Sequence, residues 1–235
     1  MNYHAIILAA GSGSRMGIKE KKQFLMIQNK AIFLHSIFAF AKVREIQKIV
    51  LVYAADDYQR YKILIDREGL TDRVELVAGG NERQESVMNG LEHLMKSYKP
   101  GDYVLIHDGA RPLVKEKDIK SLIDALKDCK GATLAYKVSD TIKEVTKEGH
   151  IKKNVARDKL WGIMTPQGFD LETIYNAHKN AKETVTDDTE LLVSVGETVH
   201  IVEGSKQNIK LTTQEDLKII ELYFKSMQLK IESPF

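Results

Sequence analysis

Short apolar runs of β-type composition alternate along this chain with longer stretches whose apolar residues recur at helical spacing. Ala5–Leu8, Ile49–Tyr53, Val74–Val77, Tyr103–Ile106 and Thr133–Tyr136 read as strands. Between them Ala31–Ala41, Asp57–Glu68, Arg83–Met95 and Glu116–Leu126 read as helices, with Gly69 and Pro100 as punctuation. Strand, helix and strand in succession require parallel pairing through right-handed crossovers. The pattern therefore predicts an α/β fold: a doubly wound, mainly parallel sheet flanked by helices. Ligands of such sheets bind beyond the carboxyl ends of the strands, so the loops that follow the strands are where chemistry is expected.

From Lys137 to Asn154 the pattern changes to charged and β-branched residues around Glu148-Gly149, the mark of an extended hairpin with little core of its own. Residues 137–156 are expected to protrude as an arm from one domain spanning 1–235. The chain resumes with the apolar stretch Leu160–Met164, helices near Leu171–Asn180 and Thr189–Val195, a strand at Val199–Val202 and a last helix from Gln214 to about Met227. Ile231 to Phe235 reads as a loosely held tail. There are no repeats and no low-complexity linker.

Composition narrows the class without naming it. At 235 residues, 43% of them hydrophobic and 29% charged, the chain can bury a substantial core and has the usage of a globular protein. Thirty-five basic side chains face 33 acidic ones, so no bulk field draws nucleic acid, and no aromatic-basic stripe suggests a strand platform. Any anion site must be local. A single cysteine, Cys129, excludes an intrachain disulfide and a Cys-rich zinc site, and is expected to be buried. The first apolar run is far too short to cross a bilayer and ends in a glycine turn. A cytoplasmic protein that binds neither membrane nor nucleic acid is the expectation.

That turn, Gly11-Ser12-Gly13-Ser14, follows the first strand directly, so its N–H groups can face an anion without Cβ obstruction. Arg15, Lys19, Lys21 and Lys22 add positive charge. Two familiar glycine loops do not fit. A dinucleotide fingerprint places its third glycine at Met16 and an acid about twenty residues on, where Ala31-Ile32-Phe33 stands. A Walker loop needs Gly-Lys-Ser/Thr, which occurs nowhere.

Leu8-Ala9-Ala10-Gly11-Ser12-Gly13-Ser14-Arg15-Met16, continued by Lys22-Gln23-Phe24, resembles the signature of sugar-nucleotide-type nucleotidyltransferases. Four further segments narrow it: Gly80-Asn81-Glu82-Arg83-Gln84-Glu85-Ser86-Val87, His107-Asp108-Gly109-Ala110-Arg111-Pro112, Asp140-Thr141, and Arg157 with Leu160-Trp161 and Thr165-Pro166-Gln167. With Asn208-Ile209-Lys210-Leu211-Thr212, they resemble the 2-C-methyl-D-erythritol 4-phosphate cytidylyltransferase family from about Ala5 to about Tyr223.

The resemblance implies a Rossmann-like nucleotidyltransferase in which a sugar phosphate attacks the α-phosphorus of CTP and releases pyrophosphate. It implies that Arg15, Lys22 and Lys210 stabilise the charge that develops there. Ala9, Ala10, Gly11, Ser12, Gly13, Gly80, Asn81 and Ser86 would then hold CTP. Asn81 also reads as the cap of the following helix. Asp108, just past a strand, would hold Mg²⁺ or another divalent cation against phosphate oxygens and meet the acceptor together with Arg111, Thr141 and Arg157. His107 reads as structural, and the arm implies a homodimer in which it completes a second subunit's pocket. On pattern alone, Lys210 would pass for a solvent-facing lysine.

Lys21 stands where the family commonly has proline, Asn81 where it has aspartate and Gly109 where it has alanine. The first is expected to loosen the loop around Lys22. Two other readings remain open: a ribitol 5-phosphate cytidylyltransferase, which shares loop, arm and fold, and a non-catalytic CTP sensor. Thr186-Asp187-Asp188, Leu160-Trp161 and the Asp108–Pro112 run lean toward the methylerythritol family.

Overall fold

The computed structural model describes residues 1–11, 17 and 20–232. In chain order the strands and helices are β1 (Asn2–Leu8), β2 (Met26–Ile27), β3 (Lys30–Ala31), α1 (Ile32–Ala41), β4 (Ile46–Tyr53), α2 (Tyr58–Arg67), β5 (Val74–Ala78), α3 (Arg83–Met95) and β6 (Asp102–Asp108). They continue with α4 (Glu116–Ala125), β7 (Gly131–Lys137), β8 (Ile142–Val145), β9 (Ile151–Val155), β10 (Trp161–Asp170), α5 (Leu171–Lys179), α6 (Asp188–Ser194), β11 (His200–Glu203) and α7 (Gln214–Glu232).

Seven strands form one sheet in the order β11-β7-β10-β6-β1-β4-β5. β5, β4, β1 and β6 pair in parallel, β11 pairs in parallel with β7, and β10 runs antiparallel to both its neighbours. The central strands carry continuous apolar runs, Ala5–Leu8, Ile49–Val52 and Val104–Ile106, because both their faces are covered there. Ala5, Ile7, Ile49, Leu51 and Leu105 pack with Phe33, Ile37, Phe40, Tyr61 and Leu122 of α1, α2 and α4. Ile6, Val50, Val52, Val104 and Ile106, one residue out of phase, pack with Val87, Leu91, Ile174 and Leu192 of α3, α5 and α6. A third cluster joins Ile27, Ile32, Ala110, Leu113 and Leu211 to Ile220 and Phe224 of α7, which fixes the loop after β6 against the segment around Lys210.

Most helix and strand bounds fall within a residue or two of the sequence pattern; β1 and β4 each begin three residues before their predicted runs, and two further elements differ more. The stretch from Leu160 becomes a ten-residue strand that continues through Pro166, where its register with β7 shifts between Ile163 and Gln167. A proline is tolerated in a strand where the ladder is already interrupted. The last helix runs to Glu232, beyond Met227. β8 and β9 pair only with each other, around a turn where Gly149 takes φ +85°. Val145 (54%) and Ile151 (69%) are left exposed on that hairpin. Cys129 is half-buried rather than buried, with its thiol directed at the carbonyls of Ala125 (3.1 Å) and Gly131 (3.2 Å).

Candidate active site

The carboxyl ends of β1, β5 and β6 open into a cleft of about 280 Å³, the place the topology predicts. Ala9, Ala10 and Gly11 form its first wall, directly after β1. Behind them Gln23 donates to the carbonyls of Ala9 (2.7 Å) and Gly11 (2.8 Å), and the Tyr61 hydroxyl donates to Ala9 (2.8 Å). A buried amide and phenol thus hold the start of the glycine turn from inside. Ser12, Gly13 and Arg15, assigned to the triphosphate by resemblance, lie outside the described residues, as does Lys19.

The second wall comes from the loop between β5 and α3. The Gly80 N–H donates to Ser86 Oγ at 3.1 Å, and Gly79 fits between Ala10 and Ser86 so closely that a Cβ would stand 2.7 Å from one and 2.8 Å from the other. Glycine is required by that approach. Asn81 lines the cleft but does not cap α3. Glu85 accepts the N–H groups of Asn81 (2.8 Å) and Glu82 (3.5 Å), so the N-cap is Glu82. An acid one turn in can reach back to the free N–H groups and shift the start by a residue.

Asp108 stands at the end of β6, buried, with Lys210 Nζ 2.8 Å from Oδ2, Arg111 Nε 3.7 Å from Oδ2 and Arg83 Nε 3.8 Å from Oδ1. Burial alone would raise its pKa. The three cations, Lys210 foremost, outweigh that and hold the carboxyl well below the usual range, so it is ionised at neutral pH. Lys210 is carried into place by Leu211, whose N–H donates to Ala110 O at 2.8 Å. Lys22 Nζ stands 3.2 Å from Leu211 O, and both lysines line the cleft. The two lysines are 188 residues apart in sequence and line the same cleft.

Beneath Asp108 runs a hydrogen-bond chain. The Asp108 N–H donates to Thr165 Oγ1 (3.0 Å), Thr165 Oγ1 meets His107 Nδ1 (3.1 Å) and His107 Nε2 meets Arg111 O (3.2 Å). With Thr165 donating onward, the ring takes the neutral form with its proton on Nε2. His107 is fully buried, and burial lowers its pKa to about 4, so both nitrogens serve structure and none is left for a general base. Arg111 donates to Asn208 O (2.8 Å) and Asn208 donates to Thr165 O (2.7 Å), tying Arg111 below Asp108 rather than into the cleft wall.

Thr141 and Arg157 are not brought to this cleft. They flank the β8–β9 hairpin, and the Arg157 guanidinium donates to the carbonyl of Ser139. Lys21, expected to loosen the loop, instead takes φ −65° and ψ 130°, a conformation that proline itself adopts, and its Nζ lies 2.5 Å from Asp57. Gln23, Glu82 and Arg83 also line the cleft, although no role for them follows from the sequence pattern. Their only signal was membership of the motifs already quoted.

Among the described residues no three His, Cys, Asp or Glu side chains cluster as a metal cage. One ionised carboxylate beside a phosphate-sized cleft fits Mg²⁺, which is commonly held by one or two carboxylates and the substrate's own phosphates. No helix among the described residues is long and apolar enough to cross a membrane.

Comparison with known proteins places the chain among relatives. The family model described as 2-C-methyl-D-erythritol 4-phosphate cytidylyltransferase matches residues 3–226. Proteins of that name from Desulforamulus reducens (41% identical, covering 95% of this chain and 96% of the relative) and Bacillus cytotoxicus (40%, covering 94% and 97%) are similar over nearly their whole length. A crystal structure of 4-diphosphocytidyl-2C-methyl-D-erythritol synthase from Anaerococcus prevotii superposes with a TM-score of 0.81 at 31% identity, covering 95% of this chain and 98% of that one.

Proposed function

The chain belongs to the 2-C-methyl-D-erythritol 4-phosphate cytidylyltransferase family, and from that premise we propose how its own residues carry the reaction. The enzyme transfers the cytidylyl group of CTP to 2-C-methyl-D-erythritol 4-phosphate, giving 4-diphosphocytidyl-2-C-methyl-D-erythritol and pyrophosphate in non-mevalonate isoprenoid precursor synthesis. It is a nucleotidyltransferase, which sets aside the reading as a CTP sensor. Relatives bearing the methylerythritol name favour that acceptor over ribitol 5-phosphate.

An acceptor phosphate oxygen attacks the α-phosphorus, a P–O bond forms, and the bond to the β-phosphate breaks as pyrophosphate departs. A phosphate monoester has a second pKa of about 6, so the nucleophile is already dianionic and needs no base. Catalysis reduces to alignment and neutralisation of crowded negative charge. The observation that carries this reading is that Lys22, Lys210 and ionised Asp108 line one cleft, with Lys210 paired to Asp108 and Lys22 held on the carbonyl of Leu211, the residue after Lys210. The two lysines take the triphosphate and the charge developing at the α-phosphorus, with Arg15 as their third member by resemblance.

Ala9, Ala10 and Gly11 of the first wall, with Gly80, Asn81 and Ser86 of the second, form the cytosine end of the cleft. A base is chosen there by satisfying its exocyclic amine and ring acceptors, which an ill-fitting base cannot do. Asp108 is the residue that would hold a divalent cation at the phosphate end of the cleft, where the ion would supply Lewis-acid neutralisation. Arg111 fixes the backbone beneath Asp108. Thr141 and Arg157, remote from their own cleft, serve the acceptor in the partner subunit of a homodimer. The setting is cytoplasmic, consistent with the free Cys129 thiol.

Calorimetric titration with CTP and Mg²⁺ tests the base end. Ser86→Ala removes the hydroxyl that orders Gly80 and is expected to weaken CTP by about 5- to 30-fold, the worth of roughly 1–2 kcal/mol of lost hydrogen bonding. Unchanged affinity would remove Ser86 from the CTP pocket.

A further inference from the structure

The segment Thr186-Asp187-Asp188 ends in a carboxylate with no exposure at all. Asp188 Oδ1 and Oδ2 accept the two terminal nitrogens of Arg83 at 3.1 and 2.6 Å, His178 Nε2 lies 3.1 Å from Oδ1, and the Asp188 N–H donates to Gln167 Oε1 at 3.2 Å. Arg83 is the first residue of α3, and its third nitrogen, Nε, points at Asp108 Oδ1 across 3.8 Å. One guanidinium therefore bridges a carboxylate sealed in the interior and the carboxylate in the cleft.

Such a buried bidentate pair is weak evidence for stability, because apolar residues of equal volume hold a fold as well or better. What the fork supplies is direction: two parallel hydrogen bonds fix the plane of the guanidinium. Lys210 and Arg111 both approach the other oxygen of Asp108. When Lys210 engages phosphate, Arg83 is the cation left on the Oδ1 side.

We propose that Arg83, clamped by Asp188, is a positioning residue that keeps Asp108 aimed into the cleft while Lys210 is drawn to the nucleotide. This deepens, and rests on, the assignment of Asp108 to the phosphate end of the site. Released from Asp188, Arg83 has Asp108 as its nearest carboxylate and pulls it away from its working orientation.

The experiment compares Arg83→Gln/Asp188→Asn, Arg83→Lys and Asp108→Asn with the unaltered enzyme, reading thermal midpoint, kcat and KM for CTP. The double substitution replaces a charged pair with two amides that can bond each other, so no buried charge is left alone. Arg83→Lys keeps the charge but loses the fork. Both variants are expected to stay folded, to lose kcat by about ten- to a hundredfold through misplacement at the reacting centre, and to keep KM for CTP within about threefold. Unaltered kcat in either folded variant would overturn the proposal, since the clamp would then be structural only. Should the double variant unfold, Arg83→Lys alone decides. Asp108→Asn separates the levels: if it turns over normally, the role given to Asp108 itself has failed; if it is inactive while the Arg83 variants are not, only the clamp has.

Discussion

Lys210→Ala is expected to lower kcat by about a hundred- to a thousandfold, the usual cost of removing one preorganised group from a developing oxyanion. Lys210 is brought to the cleft by the Leu211–Ala110 backbone bond and stands 2.8 Å from Asp108, so its charge is placed before any substrate arrives. Removing it also leaves Asp108, among the described residues, with cations only at 3.7 and 3.8 Å. Lys22→Ala is expected to act with similar size, because its Nζ is held on the carbonyl of Leu211, the neighbour of Lys210, and lines the same cleft. Lys21→Ala is the control: that ammonium is committed to Asp57 on α2's leading edge and should leave kcat nearly untouched. Pyrophosphate release at saturating CTP reads all three. Wild-type kcat in Lys210→Ala would remove it from the mechanism.

Deleting residues 142–152 is expected to abolish dimerisation and activity together. The excised strands pair with nothing but each other, and an isolated hairpin is marginal in water unless something covers its apolar side chains. Val145 and Ile151 are the residues that await such cover. The deletion spares Thr141 and Arg157 themselves, so lost turnover reports lost placement rather than lost side chains. Mixing Lys22→Ala protomers with Arg157→Ala protomers gives the sharper readout. If each site takes Lys22 from one chain and Arg157 from the other, the mixed dimer regains one intact site and with it activity. A fully active monomer after deletion, in light scattering and turnover, would contradict the arm's role.

The parts of the fold that sequence conveyed are those with a period. The apolar β1, β4 and β6 runs and the helical spacing of α3 announced those elements, although β1 and β4 each begin three residues before their runs, and the glycine turn after β1 located the cleft. β2 and β3 escaped because two-residue strands have no period, and their turn depends on Gln28 and Asn29 at φ 47° and 61°. β10 was half seen, because Thr165-Pro166-Gln167-Gly168 reads as a break until the neighbouring strands are present. Lys210 looked like any surface lysine; only the tertiary contact of its neighbour Leu211 with Ala110 turns it inward. The Arg83–Asp188 clamp spans 105 positions and leaves no local trace. Asn81 was misread as a cap because the preference for asparagine there was outweighed by Glu85 reaching back to Asn81 and Glu82. Long-range electrostatics, rather than secondary structure, is what one-dimensional pattern cannot carry.

Pyrophosphate release by the unaltered protein with CTP, Mg²⁺ and one acceptor at a time tests the reaction as a whole. Turnover with 2-C-methyl-D-erythritol 4-phosphate, accompanied by a new diphosphate ester linked to cytidine, and almost none with ribitol 5-phosphate, is expected. Preference for ribitol 5-phosphate, or CTP binding without pyrophosphate release from either mixture, would contradict it.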